Sequence, residues 1–162
     1  MGGWVEFTEQ FPFAPRLYEK IAGITPVRRH ERYRSFLVKI QGLQCFYCGG
    51  QKDRGLHVDH VIPWSFVLED RVWNLVLACQ SCNSAKCDRT PDDQVFARLL
   101  TRNKEIVSEL RESIPAVKLD KQVFTPEALD THIDMLLENC RAEGFGIWSR
   151  HGPAGESQPP PE

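Results

Sequence analysis

The residues best suited to chemistry lie in the middle of the chain, where Asp59 and His60 are adjacent and two asparagines follow at Asn74 and Asn83. A histidine with the ordinary pKa of about 6.5 can accept a proton from water at neutral pH. Carboxylate and amide oxygens are hard ligands, which suit hydrated Mg²⁺ or Mn²⁺ better than catalytic zinc. An Asp–His pair with a later asparagine therefore indicates a metal site next to a general base.

Two CxxC pairs bracket this group. They are Cys45 with Cys48 and Cys79 with Cys82, and thirty residues separate the pairs. Four thiolates can surround a zinc ion tetrahedrally and leave no open position, so this zinc would be structural. The spacing exceeds that of a compact zinc ribbon. Zinc would thus tie together the ends of an insert that carries the acid, the histidine and the first asparagine. A redox CxxC or a chance pairing is the alternative.

Length and composition fit one domain with a real core, because the 162 residues are 41% hydrophobic and 26% charged. The net charge of -2 is not basic overall, although Arg28 to Gln41 holds five basic residues and one acid. No secretory signal is visible, and no apolar run reaches the ~20 residues of a membrane span. A cytoplasmic location is expected, where paired cysteines favour metal binding over disulfides. Residues 149–162 are expected to form a disordered tail.

Residues 1–41 are predicted to be an N-terminal arm followed by a basic helix. The arm, residues 1–16, mixes aromatics with prolines and is expected to be extended. A short helix is predicted from Leu17 to Ala22 and a longer one from Val27 to Ile40, where apolar residues recur every three or four positions. The arginines of the longer helix lie on its other faces. They indicate either a solvated surface or a contact with a phosphate backbone.

Residues 42–90 are predicted to form the core, and residues 91–148 a helical C-terminal region. The core elements are, in order, a strand from Leu56 to Ile62 that Pro63 ends, a loop from Trp64 to Trp73, a strand from Leu75 to Cys79 and a helix from Ser81 to Lys86. In the C-terminal region, Thr90 is predicted to cap a helix that runs to about Ser113, and Thr125 to open a second. Their expected buried residues are Val95, Leu99, Ile106, Leu110, Leu129, Ile133, Leu136 and Leu137.

The motifs CxxC, VDHVIPWS and WNLVLACQSCNSAK together resemble the HNH endonuclease family, whose site is a ββα-metal fold. The resemblance covers roughly residues 45 to 89. It implies an α+β fold, with a small ββα-metal (HNH) core that carries the zinc knuckles and is flanked by N- and C-terminal helices. By this likeness His60 is the general base, and Asn74 braces the loop. Asp59 and Asn83 hold the divalent ion, and Asn83 stands where the name-giving pattern has histidine.

The expected reaction is hydrolysis of a phosphodiester, which needs a nucleophilic water and charge relief at the phosphate and the leaving oxygen. His60 would activate the water, and Mg²⁺ or Mn²⁺ would relieve the charge. Adjacent strand residues point to opposite faces, so Asp59 and His60 should not share one side. Either the strand bends before Pro63, or base and metal approach the phosphate from different sides, as in-line attack favours.

Five further residues are weaker candidates for contacts with substrate. His57 lies on the strand face of Asp59, where it would either assist the site or simply pack. Lys86, one helical turn beyond Asn83, would either touch phosphate or be solvated. The candidates are His57, Lys86, Arg54, Arg71 and Arg89.

The prediction is therefore a metal-dependent endonuclease that cuts DNA, with structural zinc and catalytic Mg²⁺ or Mn²⁺. The alternative is a non-catalytic zinc module that binds nucleic acid or a protein, which would need the cysteines but not the Asp, His and Asn together. A third interpretation makes the chain one component of a larger defence or restriction assembly. The acidic, helical C-terminal region would then dock a protein partner. No membrane contact is expected.

Overall fold

The computed structural model describes residues 16–52, 54–113 and 126–150. The predicted arm of residues 1–16 and the predicted tail of residues 149–162 lie outside these ranges, apart from Arg16 and the pair Ser149 and Arg150. Within the described residues, no helix is both long and apolar enough to span a membrane.

Short strands and helices of varied length alternate along the chain, as expected for an α+β protein. The helices are α1 (Leu17–Ala22), α2 (Arg34–Gln41), α3 (Trp64–Val67), α4 (Gln80–Lys86), α5 (Asp93–Ser113) and α6 (Pro126–Ala142), with 3₁₀ turns at His30–Tyr33 and Val72–Asn74. The strands are β1 (Leu56–His60), β2 (Leu75–Cys79), β3 (Thr90–Pro91) and β4 (Ile147–Trp148).

The centre of the fold is the antiparallel pair β1–β2, followed directly by α4. Leu56 pairs with Cys79 at one end of the ladder, and His60 pairs with Leu75 at the other. Strand β2 is buried throughout, whereas β1 alternates, with Asp59 half-buried and His60 buried. Helix α4 contacts both strands. This arrangement confirms the small ββα core that the sequence predicted.

One apolar core joins this strand pair to the helices before and after it. Fully buried members come from α2, α3, β2, α5 and α6, among them Leu37, Phe66, Leu77, Leu99 and Ile133. Burial of each such side chain stabilises the fold by roughly 1.5–3 kcal/mol. The predicted buried positions of α5 and α6 are buried wherever the structure describes them, and the side chain of Leu110 lies outside that description.

The helix predicted from Val27 to Ile40 is shorter than expected, because its α-helical part starts only at Arg34. A tertiary contact explains the difference. The backbone N–H of Arg29 donates to the carboxylate of Asp70, and the Tyr33 hydroxyl donates to the Asp70 carbonyl. Arg29 accordingly has φ -129° and ψ 22°, which does not continue a helix.

Two boundaries around the strand pair also differ from the prediction. Strand β1 ends at His60 rather than Ile62, because both backbone groups of Ile62 bond to the side chain of Asn74. The predicted loop from Trp64 to Trp73 contains α3 and the start of a 3₁₀ turn, and Leu68 ends α3 with φ 51°. The segment predicted as a loop is therefore partly helical.

Helix α5 begins later than predicted, and its cap is Asp92 rather than Thr90. The Oδ1 atom of Asp92 accepts the backbone N–H of Val95 at 2.9 Å. Thr90 and Pro91 form β3, which pairs in parallel with β4. The amide of Asp92 extends this pairing by donating to the Trp148 carbonyl at 3.0 Å. Residues from the C-terminal end of the described chain are thereby fixed beside the start of α5.

Candidate active site

Four cysteine sulfurs converge at the end of the β1–β2 pair where β1 begins and β2 ends. The Sγ atoms of Cys45, Cys48, Cys79 and Cys82 all lie within 4.8 Å of one another. Cys48 and Cys79 Sγ are 4.0 Å apart. Zn–S bonds of about 2.3 Å in a tetrahedron place sulfurs ~3.8 Å apart. The predicted four-cysteine cluster is therefore present, and its size and donor set fit a zinc ion.

A tight backbone turn presents the first two cysteines. The Cys45 amide donates to the Gly50 carbonyl at 2.9 Å, and the Gly49 amide donates to the Cys45 carbonyl at 2.8 Å. Gly49 has φ 69°, and a Cβ on Gly50 would meet Cys48 Sγ at 3.3 Å. Glycine at both positions lets the backbone turn close to the sulfur.

The surroundings of the cysteine cluster are electrostatically uneven. Burial raises the pKa of Cys79, but hydrogen bonds from the Ser81 hydroxyl and the Cys82 amide outweigh it and lower that pKa to about 6. Burial raises the pKa of Cys45. The guanidinium of Arg150 contacts Cys82 Sγ. Since four thiolates around Zn²⁺ leave net negative charge, this cation would offset part of it. An isolated arginine before a polar segment has no metal-site pattern, so sequence reasoning missed it.

Asp59 is held by Tyr47, which lies between Cys45 and Cys48, and by Lys86 of α4. The Tyr47 hydroxyl donates to Asp59 Oδ2 at 2.6 Å, and Lys86 Nζ lies 3.4 Å from the same oxygen. Tyr47 is 3% exposed. Burial and the adjacent Asp59 carboxylate raise its pKa, which keeps the hydroxyl a proton donor. Both contacts use the same carboxylate oxygen, Oδ2.

Lys86 is buried, with 1% exposure, so the solvated lysine considered from the sequence is wrong. Its Nζ donates to the carbonyl of His60 at 2.7 Å and lies beside Asp59. A contact with phosphate would require the ammonium to leave these internal partners. Asn83 is half-buried one turn earlier on α4. Because residues three apart share a helix face, Asn83 lies on the side of α4 that meets β1.

Asp59 and His60 leave β1 on opposite faces, because β1 pairs regularly through both residues. Of the two geometries considered for this pair, the structure therefore has the unbent strand. A base and a metal ligand at these positions would approach a phosphate from different sides. Lys86 links the two residues from behind, through one side chain and one carbonyl.

His60 has a carboxylate partner that sequence reasoning missed. Its Nε2 lies 2.9 Å from Asp70 Oδ1, with side chains 6% and 7% exposed. The His60 ring also contacts Trp64 and His30 edgewise, with centroid distances of 5.1 Å and 5.5 Å. Burial raises the pKa of Asp70, but hydrogen bonds from His60 and the Arg29 amide outweigh it and lower the pKa overall. An acid in a loop looks like any solvated carboxylate, so no sequence signal singled it out.

Asn74 ties the loop after β1 to the start of β2. It is 1% exposed, its Oδ1 accepts the Ile62 N–H at 2.7 Å, and its Nδ2 donates to the Ile62 carbonyl at 2.9 Å. The Asn74 carbonyl accepts the Val61 N–H at 2.9 Å. These contacts fix the backbone directly after His60. Any contribution of Asn74 to catalysis stays a prediction.

A buried arginine of α5 supports the turn that carries Asn74. Arg102 donates to the Leu75 carbonyl at 2.6 Å and to the Trp73 carbonyl at 3.0 Å. Asn103 donates to the same Trp73 carbonyl at 2.9 Å. Burial lowers the pKa of Arg102 to about 9, so the guanidinium remains charged at neutral pH. Sequence reasoning assigned α5 to core packing and overlooked this pair.

The remaining candidates for substrate contact lie around the same core. His57 is half-buried on the face of β1 that carries Asp59. Arg54 is exposed. Arg71 forms an ion pair with Glu69 at 3.0 Å, and Arg89 donates to two carbonyls of α4. Substrate binding by these residues stays a prediction.

Comparisons with known proteins bear on the central segment. The family model for HNH endonuclease matches residues 45–89, which span both cysteine pairs and the ββα core. A comparison with curated proteins gives no match. Among solved structures, the chain is similar to the Type II-C Cas9 enzyme from Actinomyces naeslundii, with 19% identity and a TM-score of 0.33. The alignment covers 75% of this chain and 12% of that one. The likeness to HNH endonucleases therefore lies in residues 45–89, about a quarter of the chain, and metal-dependent nucleases form that family.

Proposed function

We propose that this chain is a metal-dependent endonuclease that hydrolyses phosphodiester bonds of DNA. His60 is its general base, and Asp59 and Asn83 hold a divalent ion. One observation carries the proposal. The buried Lys86 ammonium lies against the Asp59 carboxylate and the His60 carbonyl, one turn after Asn83. This contact supports the convergence of the three residues at one end of the ββα core.

The two proposed ligands fit Mg²⁺ or Mn²⁺, because both offer hard oxygens and only one is charged. A hydrated ion would complete its shell with water and substrate phosphate. When bound, the ion would relieve charge at the phosphate and at the leaving oxygen. Tyr47 and Lys86 hold one oxygen of Asp59, which orients the other toward the ligand position. Such partners behind a ligand tune its metal affinity.

His60 takes the proton of the attacking water. Asp70 occupies Nε2, which leaves Nδ1 as the nitrogen that accepts it. The water oxygen bonds to phosphorus while the bond to the leaving oxygen breaks. Because His60 and Asp59 leave β1 on opposite faces, attack and departure would lie on opposite sides of the phosphate.

A local basic face favours a nucleic acid as the substrate, although the net charge is -2. Arg28, Arg29 and Arg32 are exposed, in the segment whose His30 ring contacts His60. The guanidinium of Arg28 lies 5.1 Å from the centre of the Trp64 ring, which also contacts His60. This proximity favours contact with a phosphate backbone over a merely solvated surface.

Nicking of supercoiled plasmid by purified, zinc-loaded protein with Mg²⁺ or Mn²⁺ tests the proposal. His60→Ala should slow cleavage by roughly 10²–10⁴-fold, the usual contribution of a general base. Zinc content should change little, whereas the melting temperature should fall because the substitution removes a buried, hydrogen-bonded ring, so rates are compared well below the melting temperature of the variant. Asp59→Ala or Asn83→Ala should also raise the Mn²⁺ concentration needed. The control is His132→Ala, a half-buried histidine of α6 that should keep the wild-type rate.

Cleavage by His60→Ala at the wild-type rate would contradict the proposed base. The second candidate function is the non-catalytic zinc module, and the cysteine cluster alone would support it. It predicts a wild-type protein that holds zinc and binds DNA but gives no nicking with either ion.

A further inference from the structure

We propose that Asp70 positions the general base by holding His60 in the tautomer with its proton on Nε2. The inference rests on the proposed function, because it assigns a partner to the same histidine. Asp70 would contact neither substrate nor metal. It is therefore a positioning residue, and it acts through the imidazole.

The hydrogen-bond chemistry of the pair dictates the tautomer. An ionised carboxylate can only accept hydrogen bonds, and Asp70 Oδ1 lies 2.9 Å from His60 Nε2. A neutral His60 in this contact must therefore carry its proton on Nε2. The unprotonated nitrogen is then Nδ1, the atom that a general base needs.

Contacts from the N-terminal segment hold Asp70 itself in place. Its Oδ2 accepts the backbone N–H of Arg29, and its carbonyl accepts the Tyr33 hydroxyl at 3.3 Å. These donors lie more than thirty residues away in sequence, so only the folded chain brings them to the loop. They leave the carboxylate little freedom to rotate away from His60.

The imidazole is equally confined. Rings of His30 and Trp64 contact it edgewise at 5.5 Å and 5.1 Å, and its side chain is 6% exposed. A ring packed in this way cannot easily flip to exchange its two nitrogens. The group that faces Nε2 therefore determines the tautomer of His60, and that group is Asp70.

Asp70→Asn is the informative substitution, because it keeps the shape of the side chain and adds a donor. With its oxygen accepting the Arg29 N–H, the asparagine would present its NH₂ group to Nε2, which would move the His60 proton to Nδ1 and remove the base. We expect kcat to fall at least ~10-fold. The loss should not exceed that of His60→Ala, which is expected to be roughly 10²–10⁴-fold. KM for plasmid should stay within about twofold. Asp70→Glu, which keeps an acceptor, should recover part of kcat.

A readout independent of cleavage is the tautomer itself. Long-range ¹H–¹⁵N NMR spectra of zinc-loaded protein distinguish a ring with its proton on Nε2, a ring with its proton on Nδ1 and a doubly protonated ring. We expect Nε2–H at His60 in the wild type and Nδ1–H in Asp70→Asn. The matched control is Asp92→Asn at the cap of α5, which should change neither the tautomer nor kcat.

The outcomes separate this inference from the proposed function. A wild-type His60 with its proton on Nδ1 would overturn the inference even if Asp70→Asn did not fold. So would wild-type kcat in Asp70→Asn. A wild type that shows Nε2–H but never cleaves, with Nδ1–H in Asp70→Asn, would support the Asp70 contact while removing the nuclease.

Discussion

The two ends of the β1–β2 pair are held in different ways. At the end where Leu56 pairs with Cys79, four sulfurs converge within 4.8 Å and fit a zinc ion. At the end where His60 pairs with Leu75, the candidate catalytic groups are held by buried hydrogen bonds, charge contacts and ring contacts. The first end carries the donors for a metal ion, whereas contacts between side chains and backbone organise the second. The two ends should therefore fail differently when they are perturbed.

Cys45→Ser should have the largest effect, because it removes a ligand at the zinc end. Structural zinc contributes roughly 10–16 kcal/mol of apparent binding free energy, much of which is folding free energy. We expect loss of bound zinc and of cooperative melting, measured by metal analysis and calorimetry. Cys87→Ser is the control, since Cys87 is exposed and lies outside the cluster. Undiminished cooperative melting without zinc would show that the two ends do not differ as described.

Arg102→Met should come next, because it removes the buried donor behind the turn of Asn74. Carbonyls of Leu75 and Trp73 would lose a charged partner, which costs roughly 2–4 kcal/mol. We expect a lower melting temperature with zinc still bound, and slower cleavage. Lys104→Met is the control, since the Lys104 side chain is 59% exposed in its ion pair with Asp130, and such a pair is worth ~1 kcal/mol. Equal melting temperatures for the two variants would contradict the supporting role of Arg102.

Tyr47→Phe probes the connection between the two ends, because Tyr47 lies between Cys45 and Cys48 and donates to Asp59. Loss of one buried hydrogen bond should cost about 1 kcal/mol of stability. Removing a partner behind a metal ligand should weaken Mn²⁺ binding by about 10-fold. Calorimetric titration with Mn²⁺ measures this, while zinc content stays constant. Tyr33 donates to Asp70 rather than to Asp59, so Tyr33→Phe should leave Mn²⁺ affinity unchanged. An equal loss of Mn²⁺ affinity in Tyr33→Phe would contradict the proposed effect of Tyr47 on the metal ligand.

Arg150→Gln should have the smallest effect. The guanidinium contacts Cys82 from a partly exposed position, where an ion pair is worth roughly 0.2–1 kcal/mol. Zinc should therefore be released to a chelator at most ~5-fold more readily, and added salt should shrink the difference. Competition with a chromophoric chelator measures it. An unchanged rate of zinc release at low salt would show that Arg150 does not stabilise the bound zinc.

Local pattern was sufficient for much of the core. The CxxC spacing predicted all four members of the sulfur cluster, and the branched residues before Cys79 predicted β2 with its observed bounds. Helix periodicity predicted the buried residues Val95, Leu99 and Ile106 of α5 and the buried face of α6. These features depend on residues close together in the chain, so a short window of sequence contains the physical reason for them.

Competing local signals were resolved only by contacts from elsewhere. Both Thr90 and Asp92 could cap α5, and pairing of Thr90 with Ile147 in the β3–β4 ladder decided for Asp92. The helix expected from Val27 starts late because Arg29 bonds to Asp70 instead. In each case a long-range hydrogen bond outweighed a weak local preference.

By itself, the sequence determined which atoms could bind metal and which strand and helix would present them. Ligand type and spacing depend only on residues that are close together in the chain. Tertiary structure alone decided that Lys86 is buried against β1 and that Asp70 meets His60. Burial and the pairing of charges are properties of the packed chain. The local sequence around a lysine or an aspartate therefore does not show whether the residue is buried or which charge it pairs with.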